Sequence, residues 1–164
     1  MDAISPSRLS AFLVEAKRRT YAGLDDDATV ATPAFAGAKQ LEYRDDHLSY
    51  RDIYFGMAYF VGQEVVQSGT GVIWSMSYAG GVLPGIVNPA ELAAIYAFLR
   101  RSLLLIQADA PFRGPLVFEE ASLRYVNTPD GDVREFSGAE QITRSGTKVY
   151  GLRYGGGMIR EAVA

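Results

Sequence analysis

The chain has 164 residues, 48% of them hydrophobic, enough to bury one core of ordinary size and too few for two comfortable independent ones. Sixteen basic residues against nineteen acidic ones leave a net charge of −3, so no global positive field argues for nucleic acid or an anionic membrane as a partner. The absence of cysteine excludes disulfides and thiolate chemistry, and a single histidine excludes a multi-histidine metal site within one chain.

Ser5-Pro6 is a helix start, with the hydroxyl as cap and proline at a position whose amide has no partner in any case. Leu9, Phe12, Leu13, Ala16 and Thr20 then share one face, which predicts a helix over 6–20. Met1 to Arg19 lacks the uninterrupted apolar core of a secretory signal, and a cytoplasmic location is expected. Asp25-Asp26-Asp27 lacks the spaced ligands of a calcium loop and reads as a solvated turn. From Leu41 onward, short alternations rich in Tyr, Phe, Val and Ile are separated by Asp45-Asp46 and Ser68-Gly69, as in antiparallel hairpins.

Asn88-Pro89 with Glu91 as the return partner of a capping box opens a second helix, whose stripe is Leu92, Ile95, Tyr96, Leu99, Leu103 and Ile106. The apolar stretch around it is interrupted by Arg100 and Arg101 and is too short to cross a bilayer. Pro111-Phe112-Arg113-Gly114-Pro115 follows as a stiff loop able to aim a guanidinium at a carboxylate. Further strands are expected around turns at Pro129-Asp130-Gly131 and Ser145-Gly146, and Gly155-Gly156-Gly157 reads as a flexible turn. The order of elements predicts an α+β fold: two helices packed on curved antiparallel sheet, in one domain over 1–164.

Sliding the chain on itself by 76 residues places Phe60-Val61-Gly62-Gln63-Glu64 on Phe136-Ser137-Gly138-Ala139-Glu140 and Trp74, Met76 and Tyr78 on Tyr150, Leu152 and Tyr154. Turn glycines and apolar alternation would also give such a match by coincidence, but the order of elements repeats as well. The echo therefore predicts two pseudo-symmetric halves, 6–83 and 88–160.

Strand alternation puts Glu64 in an apolar row with Phe60 and Val66, and Glu140 in the same place with Phe136 and Ile142. A carboxylate among aromatics needs a partner. One reading is an aromatic pocket for a small organic ligand, lined by Glu64, Glu140, Trp74, Tyr78, Tyr150, Tyr154, Tyr50, Tyr54 and Arg113. The other is internal satisfaction, each acid closed by a tyrosine or by Arg113. Asp52, between Tyr50 and Tyr54, either extends the same wall or, the favoured reading, is a solvated hairpin acid, and His47 reads as a surface residue. No metal and no cofactor is called for. A carboxylate-dependent hydrolase, with Glu64 and Glu140 as the acid–base pair, and a protein-interaction or oligomerisation module are the competing functions.

The stretches Phe12-Leu13-Val14-Glu15-Ala16-Lys17, Tyr50-Arg51-Asp52-Ile53-Tyr54-Phe55-Gly56, Gly62-Gln63-Glu64-Val65-Val66, Trp74-Ser75-Met76-Ser77-Tyr78, Phe112-Arg113-Gly114-Pro115 and Phe136-Ser137-Gly138-Ala139-Glu140 resemble a bacterial family, domain of unknown function 5680. The resemblance assigns no activity. Some relatives look like regulators with an N-terminal helix-turn-helix, which implies that the module can serve as a sensor or accessory domain.

Overall fold

A computed structural model describes residues 4–20, Thr29 and residues 32–160. The expected turn at Asp25-Asp26-Asp27 lies outside the described residues. Helix α1 spans Pro6–Arg19, capped by Ser5, whose hydroxyl accepts the Arg8 amide at 3.3 Å. It ends at Thr20, whose amide and hydroxyl both donate to the Ala16 carbonyl. A meander follows: β1 Lys39–Asp45, β2 Leu48–Gly56, β3 Tyr59–Ser68 and β4 Gly71–Val82. Helix α2, Pro89–Leu104, takes Asn88 as its cap, but Glu91 does not return to the cap and instead pairs with Arg144 across 2.5 Å. A second meander closes the chain: β5 Val117–Glu120, β6 Leu123–Asp132, β7 Glu135–Arg144 and β8 Thr147–Met158.

The eight strands form one antiparallel sheet in the order β1-β2-β3-β4-β8-β7-β6-β5, open at both edges. The order is palindromic about the β4–β8 pair, where Tyr78 faces Tyr154. The registers follow the same plan. Glu64 faces Met76 as Glu140 faces Leu152, and the ladders slip at Val66/Gln67 and at Ile142/Thr143. One strand further out, Asp52 faces Glu64 and Asn127 faces Glu140. No bulge falls at Gly62 or Gly138, so the alternation inferred for Phe60 to Val66 and Phe136 to Ile142 holds.

Both helices contribute to one core against one face of the sheet, with Leu9 and Leu13 of α1, Ile95 and Phe98 of α2, and Trp74, Met76, Tyr150 and Leu152 all buried. Two expected turns are strand instead. Pro129-Asp130-Gly131 lies within β6, which turns at Val133-Arg134, and Gly131 takes φ +88° at the strand's end. Gly155-Gly156-Gly157 lies within β8, between β4 and β7; a Cβ on Gly156 would sit 2.1 Å from the Ser75 carbonyl oxygen, so these glycines serve close strand approach, not a turn. No helix among the described residues is long and apolar enough to cross a membrane.

Candidate functional site

The core contains an ionic cluster built from α1, β2, β3, β7 and the loop after α2. Tyr78 starts on β4 and lies over Gly62 of β3, where a Cβ would come within 2.3 Å of its hydroxyl oxygen. The ring thereby crosses β3, and its hydroxyl donates to Asp52 Oδ1 on β2 at 2.6 Å. Tyr154 repeats the manoeuvre over Gly138 and donates to Asn127 Oδ1 at 2.8 Å. The glycines are thus the gaps through which each tyrosine reaches the second strand away.

Glu140, 2% exposed, is closed on all sides. Arg113 grips it with two bonds, Nε to Oε2 at 3.1 Å and Nη2 to Oε1 at 2.7 Å, while Tyr125 and Tyr150 donate to it at 2.5 and 2.8 Å. The loop carrying Arg113 is pinned in turn: the Gly114 amide donates to the Tyr125 hydroxyl and the Gly114 carbonyl accepts from Asn127. Burial, and then the Glu140 charge, push the phenols of Tyr125 and Tyr150 well above their ordinary range. The same causes bring Tyr154 to about 12.

Glu64 occupies the equivalent place with weaker company. Lys17 of α1, 1% exposed, brings Nζ to 2.7 Å from Oε2 and donates to the Phe112 carbonyl at 2.5 Å. That ion pair is the one contact at Oε2, and Oε1 has no hydrogen-bond partner among the described residues. Trp74, standing where Tyr150 stands in the other half, leaves its buried Nε1 equally unpartnered. Burial lowers the Lys17 ammonium below its ordinary range, against the pull of Glu64.

Asp52 is 2% exposed, which overturns its reading as a solvated hairpin acid. Burial, and then the Glu64 charge beside it, raise its carboxyl to about 7. The cluster therefore holds two cations, Lys17 and Arg113, and three carboxyls; with Asp52 protonated, those charges balance. The two glutamates are not separate cores. The adjacent residues Phe112 and Arg113 join them, one through the carbonyl that holds Lys17 and the other through its side chain on Glu140.

Of the remaining candidates, Tyr50 is buried in the core and Tyr54 is half-buried, edge-on to Phe60 at 6.3 Å. His47 is exposed beside Asp46. Sequence reasoning missed Lys17, Tyr125 and Asn127. Lys17 lies four residues from Leu13 and eight from Leu9, on the buried stripe, where a cation is the signal for a buried acid opposite. Among the described residues, no cluster of His, Cys, Asp and Glu has the makings of a metal site.

A family described as a domain of unknown function, DUF5680, matches residues 52–159. The chain belongs to this family. The DUF5680 match begins at Asp52 and takes in Glu64, Arg113 and Glu140, while α1 with Lys17 lies outside it. No curated protein and no solved structure matches the chain.

Proposed function

We propose that the chain is a small-molecule-binding, sensor-like domain that receives its ligand in the polar interior beside Glu64. The observation that carries this reading is the inequality of two equivalent acids. Glu140 is saturated by Arg113 and two tyrosines, whereas Glu64 meets a single ammonium and lies in the half whose indole N–H is also idle. Buried polar groups are ordinarily partnered, so an acceptor and a donor left over together suit a guest that supplies the complement of both. Such a guest is a small amine or amide, with a cationic or N–H group for Glu64, an acceptor for Trp74 Nε1 and aromatic surface around it.

Glu64 and Trp74 are fully buried, so admission requires α1 to move with Lys17. The palindromic sheet supports an origin by duplication of an αβ4 unit, and on this reading the domain is a cytoplasmic bacterial sensor. A thermal-shift screen with aromatic amines and small amides is the test. Compounds that stabilise the wild type, by about 2.7 kcal/mol at a hundredfold excess over Kd, should lose that effect on Glu64→Gln. The reading fails if nothing in the screen stabilises the protein, or if stabilisers act equally on the variant.

A second reading, acid–base catalysis, has one observation in its favour: Asp52, poised near 7, faces Glu64 across neighbouring strands. Turnover of a bound compound that Asp52→Asn abolishes would establish it over simple binding.

A further inference from the structure

The face of the sheet away from the helices has a feature that the interior does not explain. Arg153 projects from β8 into a floor of small residues. Its cross-strand neighbours on this face are Ala79 and Ala139, and its neighbours along the strand are Gly151 and Gly155. Lys148, from the start of the same strand, folds back across Gly151, where a Cβ would come within 2.9 Å of Nζ. Both side chains are exposed, and among the described residues neither forms an ion pair or a side-chain hydrogen bond. That is unusual here, because other surface arginines, including Arg51, Arg101, Arg124, Arg134 and Arg160, each pair with a carboxylate. The two cations border a depression of about 420 Å³, with Thr128 and Gln141 on one side and the exposed Tyr59 on the other.

We propose that this depression is a binding site for a small organic anion, with Arg153 as the fork that receives a carboxylate or phosphate group and Lys148 as the second cation. A guanidinium presents paired donors that match either oxyanion, and an ammonium on the same strand adds charge without competing for geometry. Both cations border one depression, so an anion seated there is attracted by the two charges together. Ala79, Ala139 and Gly151 leave the floor low enough for a flat organic body to lie against the sheet, with Tyr59 available at its edge. The chain as a whole is negative, so attraction at this place is local and does not follow from net charge.

The test is titration of the ¹⁵N-labelled full chain at low ionic strength with benzoate, phenyl phosphate and neutral benzamide. Benzoate and phenyl phosphate separate carboxylate from phosphate preference, and benzamide measures the contribution of the ring alone. Saturable shifts confined to amides around Ala79, Ala139, Gly151 and Arg153 are expected for at least one anion. Arg153→Gln should weaken binding about tenfold or more, in keeping with loss of a charged bidentate contact, and Lys148→Gln should weaken it less. Arg44→Gln, which removes an equal charge from the edge strand β1, should leave it unchanged. The proposal is overturned if benzamide binds as well as the anions, if neither anion gives saturable shifts at this face, or if Arg44→Gln weakens binding as much as Arg153→Gln. Both outward variants sit on exposed side chains, so a common melting temperature with the wild type will show that the fold is retained.

Discussion

Asp52 and Asn127 occupy corresponding places in the two meanders, each receiving a tyrosine hydroxyl that has crossed a glycine. One is an amide and the other its ionisable near-isostere. Unfolded, the Asp52 carboxyl titrates near 3.8; folded, burial and Glu64 raise it to about 7. Between those values the folded state binds more protons than the unfolded state, so stability from this group is full below about 4 and is lost as pH rises toward 7. Asp52→Asn keeps an acceptor for Tyr78 and removes that loss. Urea unfolding at pH 5, 6, 7 and 8 should show the variant gaining on the wild type as pH rises, by at most about 1.4 kcal/mol per unit. A difference that stays flat across the series would mean that Asp52 is ionised throughout. Composition and spacing did reveal Glu64 and Glu140 as acids in apolar rows, but not Asp52. Its alternation with Tyr50 and Tyr54 is equally that of an exposed hairpin, and only the tyrosine arriving from two strands away decides the matter.

Among the elements, α1 and α2 were legible because their caps and apolar stripes are local signals, and both begin at the expected proline. The glycines were not, because their reason lies across the sheet. Gly62 and Gly138 look like strand-weakening residues or bulges, yet each holds the space for a ring from the next strand. Gly138→Ala would drive a methyl into Tyr154 and pull its hydroxyl from Asn127. A cost of roughly 2–4 kcal/mol is expected from overpacking together with the lost buried hydrogen bond. Tyr154→Phe, which keeps the ring and loses only the bond, should cost about 1 kcal/mol. Denaturant midpoints for the pair separate the two contributions: if Gly138→Ala costs no more than Tyr154→Phe, the ring is not held by the glycine. On β4, alternation correctly assigned Trp74, Met76 and Tyr78 to the buried face, since a period of two needs no knowledge of the partner.

At the scale of the molecule, the palindrome of strands raises the question whether the two halves are two folding units. Two features oppose this. The β4–β8 ladder joins the halves over the full run from Trp74–Met158 to Val82–Tyr150, so separating them would expose two long unpaired edges. The loop after α2 also serves both ionic groups: Phe112 holds Lys17 of the first half, and Arg113 holds Glu140 of the second. Unfolding the second half takes the Phe112 carbonyl from the buried Lys17 ammonium, and unfolding the first takes the Tyr78 ring from the buried Arg113 guanidinium. The molecule should therefore unfold in a single transition. Trp74, the only tryptophan, stacks on Phe136 of the second half and so reports on the junction; the amides of β1 and β2, followed by nuclear magnetic resonance, report on the first half, while far-ultraviolet circular dichroism reports on all strands and both helices. Their urea midpoints should coincide in the wild type, and Arg113→Lys, which weakens a contact confined to the second half, should move all of them by the same amount. Amides of β1 and β2 that kept their wild-type midpoint while the dichroism midpoint fell would show that the halves unfold independently, and that the shared loop couples their positions without coupling their stabilities.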